Sequence, residues 1–185
     1  MQKRLITGAI VLFLMLAVED WGAFGGAGGF GVSPKPPAPP KATTPASTSP
    51  TVTRIVDGDT IVVLINGASE KVRLIGVDTP ETVDPRKDVQ CFGKEASAFT
   101  KSLLLNKPVR LEADTTQGDR DKYGRLLRYV FLEDETLVNE KIIAEGYGHE
   151  YTYRLPYEHQ TDFKNAERKA RESKKGLWGD GVCGY

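Results

Sequence analysis

The chain has 185 residues, 39% apolar and 27% charged, which are the proportions of a globular protein and not of a wholly disordered one. Its 25 basic and 25 acidic residues cancel, and 51–185 alone holds 21 basic and 23 acidic, so nucleic acid would have to be held by a few placed cations and not by bulk charge. Two cysteines and two histidines (His149 and His159) argue against a multi-cysteine zinc module, a disulfide-dense miniprotein and a histidine-built metal site.

Lys3 and Arg4 precede Leu5–Val18, an uncharged, largely apolar run of 14 residues. A basic start followed by such a run predicts export across a membrane. A permanent bilayer span usually needs about 20 apolar residues, so cleavage and retention as an anchor both stay open. In either case Lys3 and Arg4 remain on the cytoplasmic side and the rest is extracytoplasmic, membrane-anchored or secreted. Residues 1–32 are thus a signal peptide or signal-anchor that ends in a glycine-rich stretch, Gly22–Gly31. Residues 33–50, with seven prolines, are an extended linker. A folded unit is expected over 51–180, with 181–185 as a tail.

The folded part opens with strands. Thr51–Val56 is broken at Asp57-Gly58, and Thr60–Ile65 follows, rich in β-branched residues. Asn66-Gly67 predicts a tight hairpin into Glu70–Val77, and Pro80 cannot continue that ladder. Lys94–Leu105 has helical periodicity, with Ala96, Phe99, Leu103 and Leu104 on one face. Val109–Asp114 and Leu126–Leu132 are two further strands joined by the polar segment Thr115–Arg125. Val138–Glu145 is a short helix closed by Gly146, and a last helix is expected from Pro156 to about Ser173. Five short strands with helices inserted late predict an α+β fold, mainly β, built on a five-stranded barrel of the oligonucleotide-binding type with three helices.

Three segments place chemistry at strand ends: Asp57-Gly58-Asp59-Thr60, Arg73 through Glu81, and Asp121-Lys122-Tyr123-Gly124-Arg125. Asp59, Asp78 and Glu81 could meet at one rim, and such a cluster repels itself unless a cation binds. Carboxylates and uncommitted turn carbonyls suit a hard ion such as Ca²⁺, but Asp and Gly also serve turns with no ion at all. Arg73 alternates with Val72 and Leu74, so it shares a face with Ile75 and Val77 and needs an anionic partner there. Arg73 and Arg125 could each bind phosphate bidentately or form a structural salt bridge.

Taken together and in this order, these segments resemble the staphylococcal nuclease (thermonuclease) family. The likeness extends to Phe92-Gly93-Lys94-Glu95-Ala96, Val138-Asn139-Glu140, Gly146 and Gly176-Leu177-Trp178, and so covers about residues 51–180. The resemblance implies a Ca²⁺-dependent phosphodiesterase acting on DNA and RNA and leaving 3′-phosphate ends. It places the calcium ligands on Asp59, Asp78 and the carbonyl of Thr79, and the catalytic trio on Arg73, Glu81 and Arg125. Lys122 and Tyr123 match nucleotide-binding positions, and Tyr151 and Tyr153 match with one residue deleted after Gly146. A family member that only binds nucleic acid, and a tethered interaction domain with a structural Ca²⁺, are the competing readings. The protein is expected to act as a monomer, with the membrane as a further partner if the N-terminus is retained.

The family's type enzyme has no cysteine, whereas this chain has Cys91 just before the first helix and Cys183 past the last. Outside the cytoplasm the two could pair and tie the tail to the body, or remain independent thiols.

Overall fold

The computed structural model describes residues 49–82 and 88–184. The export segment and most of the linker expected over 1–50 lie outside them. Among the described residues no helix is long and apolar enough to cross a membrane.

The first three strands form an antiparallel meander, β1 (Thr51–Ile55), β2 (Thr60–Ile65) and β3 (Ala68–Leu74). Asn66 and Gly67 both have positive φ, at 50° and 83°, the backbone hand that a two-residue hairpin requires, and Ile65 accordingly pairs with Ala68. The third strand is shorter than its apolar run. Gly76, at φ 75°, turns the chain out of the ladder, and Val77–Asp78 becomes a separate strand, β4. β4 pairs with β7 (His149–Glu150), a strand too short to show in the sequence pattern.

Helix α1 (Gly93–Leu104) leads to β5 (Arg110–Glu112) and β6 (Leu126–Phe131), after which come α2 (Val138–Ala144) and α3 (Gln160–Glu172). α3 starts at Gln160 and not at Pro156. Tyr157 is instead buried ahead of it, its hydroxyl donating to Glu150 Oε1 at 3.0 Å. β6 runs parallel to β3, with Val72 opposite Leu126 and Arg73 opposite Leu127. Arg73 therefore lies between Thr60 on β2 and Leu127 on β6, in the middle of the sheet.

The five strands and three helices are those expected, but the ladder, ordered β1-β2-β3-β6-β5, does not close into a barrel. Three backbone hydrogen bonds (Val52 N–H to Lys107, Asn106 N–H to Val52 and Val109 N–H to Pro50) draw its two edges together around Pro108. Proline has no N–H with which to extend that contact.

The core lies between the sheet and the helices, with Ile61, Val63, Val72, Leu74, Ile142, Ile143 and Phe163 fully buried. One buried polar residue fastens α2 to the sheet. Asn139 accepts from the Val130 N–H at 2.9 Å and donates to the carbonyls of Ile75 and Arg128. Cys91 and Cys183 form a disulfide across 92 residues, beside a small cluster of Ala170, Leu177 and Trp178.

A second polar anchor holds the loop in front of α3. Buried Asp114 accepts from the Tyr129 hydroxyl at 2.6 Å, from the Glu158 N–H at 2.8 Å, and from the Thr116 N–H and hydroxyl at 2.7 Å each. Burial alone would raise this carboxyl, but the four donors outweigh it and bring it from 3.8 to about 2. A depressed acid stabilises the fold above its unfolded value and stops doing so as pH falls through its folded value. Asp114 should therefore contribute about 2 kcal/mol at neutral pH, an amount lost between about pH 4 and pH 2. In urea titrations the wild-type advantage over Asp114→Asn should be present at pH 7 and gone near pH 2. An advantage of equal size at both would contradict this assignment.

Candidate active site

The site begins at the turn between β1 and β2. Asp57 Oδ1 accepts the Asp59 N–H at 3.1 Å, a local turn bond that points the Asp59 carboxylate inward. Gly58 lies so close to Thr79 that a Cβ there would stand 2.7 Å from its hydroxyl. Only a glycine lets this turn press against the segment after β4. Asp59 Oδ2 accepts both the Thr79 N–H, at 2.9 Å, and the Thr79 hydroxyl, at 3.2 Å.

Arg73 ties the two expected acids together. One Nη1 reaches Asp59 Oδ2 at 2.8 Å and the Val77 carbonyl at 2.7 Å, and Nη2 reaches Asp78 Oδ1 at 3.1 Å. The Arg73 and Asp59 side chains are 14% and 8% exposed and that of Asp78 is 52% exposed, so the pair is buried on the Asp59 side and opens to solvent on the other. The anionic partner that an inward-facing arginine needs is thus supplied twice.

Arg125 joins the group through Thr60. Its Nη1 donates to Thr60 Oγ1 at 3.2 Å, and that hydroxyl donates to Asp59 Oδ1 at 3.0 Å. Asp121 holds the other edge of the guanidinium, Nε to Oδ2 at 2.6 Å, and accepts the Arg125 N–H through Oδ1 at 2.9 Å. Burial would raise Asp121, but the Arg125 side chain and the backbone donors overcome this and lower it, so a fixed negative charge aims the arginine. Asp121 and Thr60 are the positioning groups that the sequence reading left unassigned. The only signal for Asp121 was its place four residues before Arg125.

Glu81 lies just past this group. Its Oε1 accepts the Thr82 N–H at 2.9 Å, and its own N–H donates to Gln90 Oε1 at 2.8 Å. Asp59, Arg73, Asp78, Thr79 and Arg125 thus form one connected network, and Glu81 follows it along the chain after Pro80.

The acids are crowded. Burial first, and the Asp59 charge second, push the Asp57 carboxyl up from 3.8 to about 7. Asp78 is also pushed upward by partial loss of hydration, with Arg73 opposing and Asp59 adding. Loss of hydration is the first cause of both shifts, and the Asp59 charge adds to each. The donors are all oxygen, which fits a hard cation. Among the described residues no three Asp, Glu, His or Cys side chains converge as a complete metal cage. A cation at Asp59 and Asp78 would need a backbone carbonyl and water to fill its shell.

A groove of about 640 Å³ runs beside the network, lined by Arg73, Asp78, Lys122, Tyr123, Arg125, Tyr151 and Tyr153. Three tyrosines stand at its mouth, Tyr123, Tyr151 and Tyr153 being 71%, 43% and 60% exposed. Lys122 Nζ lies 4.9 Å and the Arg125 guanidinium 5.4 Å from the Tyr123 ring centre. The β4–β7 ribbon brings the other two into place, since the Tyr151 N–H donates to the Gly76 carbonyl at 3.0 Å. Flat aromatic faces beside placed cations can stack bases while guanidinium groups hold phosphate.

Comparison with known proteins bears on the family of the chain. Residues 71–180 match a family model described as staphylococcal nuclease homologue. The chain is 47% identical over 127 residues to a thermonuclease of Staphylococcus hyicus, spanning 69% of this chain and 73% of the relative. It is 39% identical over 176 residues to a thermonuclease of Staphylococcus intermedius, spanning 95% of this chain and 98% of the other. It is 40% identical over 130 residues to endonuclease YncB of Bacillus subtilis (strain 168), spanning 69% and 60% of the two.

Proposed function

The chain belongs to the staphylococcal nuclease family, and from that premise we propose that it is a Ca²⁺-dependent endonuclease that hydrolyses phosphodiester bonds in DNA and RNA and leaves 3′-phosphate ends. The observation that carries this reading is the chain of contacts from Arg125 through Thr60 and Asp59 to Arg73 and Asp78 at the side of the groove. Nuclease relatives support the reaction class; calcium and the product polarity are the finer steps of the proposal.

Asp59, Asp78 and the Thr79 carbonyl would hold the ion. Bound there, Ca²⁺ supplies positive charge that offsets the phosphodiester and polarises it toward attack. The chain's own groups do the rest. Arg73 and Arg125 place guanidinium forks where charge builds on the phosphate oxygens, held in advance by Asp59, Asp78, Thr60 and Asp121. Glu81 orients a water and takes one of its protons as the oxygen adds to phosphorus. The bond from phosphorus to the 5′ oxygen breaks, that oxygen takes a proton from solvent water, Glu81 returns its proton to solvent, and the phosphate stays on the 3′ side. Arg125 also assists the leaving oxygen. Lys122, Tyr123, Tyr151 and Tyr153 hold the neighbouring nucleotide.

We further place the enzyme outside the cytoplasm, tethered by residues 1–32 or released by cleavage, and acting as a monomer. End-group analysis of a digested oligonucleotide tests the reaction polarity. The expected products carry 3′-phosphate and 5′-hydroxyl ends. Predominant 5′-phosphate ends would overturn the proposed direction of bond breaking.

A further inference from the structure

We propose that Gln90 is a positioning residue that fixes Glu81 for its role with the attacking water. The inference rests on the function proposed above, because it gives Glu81 its meaning. Its basis is a two-point clamp between residues nine positions apart. The Glu81 N–H donates to Gln90 Oε1 at 2.8 Å, and the Gln90 N–H donates back to the Glu81 carbonyl at 3.0 Å. The side-chain oxygen must face Glu81, since a backbone N–H can only donate.

The clamp is itself held from three sides. The Gln90 carbonyl accepts the N–H of Gly93, the first residue of α1, at 3.0 Å. Gly93 lies against the catalytic segment. A Cβ there would stand 2.7 Å from Thr82 Cγ2, 3.0 Å from the Pro80 carbonyl and 3.2 Å from the Glu81 carbonyl. Cys91 is bonded to Cys183, and Phe92 packs on the cluster of Ala170, Leu177 and Trp178, with its ring 5.4 Å from that of Tyr147. The Glu81 main chain thus hangs from a segment anchored to α1, to α3 and to the C-terminal tail. A neutral amide acceptor suits this task, because it fixes the N–H without adding a charge beside the Glu81 carboxylate. A base that must meet one water gains most from such fixing, since displacement by about 1 Å can cost on the order of 10²-fold in rate.

Steady-state kinetics on DNA in the presence of Ca²⁺ test this. Gln90→Met, which keeps the length but loses the acceptor, should lower kcat about tenfold or more and leave KM nearly unchanged. Gln90→Glu, whose carboxylate accepts the same N–H but adds a like charge beside Glu81, should recover part of that loss and move the acidic limb of the pH–rate profile upward. In a Glu81→Gln background, Gln90→Met should cost little further, because the group it positions is already disabled. A melting curve accompanies each variant, and Gln90→Asn, too short to reach, replaces Gln90→Met if the latter does not fold. Wild-type kcat in Gln90→Met, or an equal loss in both backgrounds, would overturn the positioning role while a disabled Glu81→Gln left the function reading intact. Full turnover in Glu81→Gln would overturn that reading and this inference with it.

Discussion

Arg125→Lys is expected to lower kcat on DNA by about 10²–10³-fold, with a much smaller change in substrate binding. Lysine keeps the charge but presents a single point where arginine presents a planar fork. In this site the fork is used in two directions. Asp121 takes its Nε edge and Thr60 takes Nη1, which orients the remaining face toward the groove. An ammonium could satisfy Asp121 or reach toward phosphate, not both. The same loss is expected for Arg73→Lys, whose partners Asp59, Asp78 and the Val77 carbonyl are reached from two separate guanidinium nitrogens where lysine has one. Arg73 is the more buried of the two, at 14% against 25% side-chain exposure, so its variant must be compared at equal folded fraction, established by a melting curve. Turnover near wild type in Arg125→Lys would remove that residue from the chemistry.

Much of this site was legible because its residues sit where local signals are strong. Asp57-Gly58 and Asn66-Gly67 are turn dipeptides, and the β-branched run of β2 between them leaves little choice of element. The meander alone therefore brings the turn that carries Asp59 beside the end of β3 that carries Arg73. What pattern could not supply was pairing across the chain. The parallel contact of β6 with β3 depends on tertiary packing, and it is this contact that carries Arg125 to Thr60. β7 has only two residues, and its register with β4 is set by the turn at Gly76, so the placement of Tyr151 and Tyr153 rested on resemblance and not on spacing. The open sheet has a similar origin, since Pro108 interrupts the donors where the edges of β1 and β5 approach. Asp114 gave no sequence signal at all. Two of its four donors come from Thr116 in a local turn, but the other two come from 129 and 158, which only the fold brings to it.

Removing Ca²⁺ is expected to have the largest effect of any single change. Asp59 and Asp78 place two carboxylates on the one Arg73 guanidinium, and Asp57 lies beside Asp59. A phosphodiester would add a further negative charge and be repelled. Two carboxylates and a carbonyl, completed by water, suit a large ion with loose geometry better than Mg²⁺, which demands a tight octahedron and gives up its water reluctantly. The measurement that bears most directly on the central claim is therefore cleavage of single-stranded DNA by the purified protein, followed with Ca²⁺, after chelation, and after replacement by Mg²⁺ or renewed Ca²⁺. The account predicts rapid cleavage with Ca²⁺, none after chelation, little with Mg²⁺ and full recovery when Ca²⁺ returns. Undiminished cleavage in chelator, or equal turnover with Mg²⁺ alone, would contradict it.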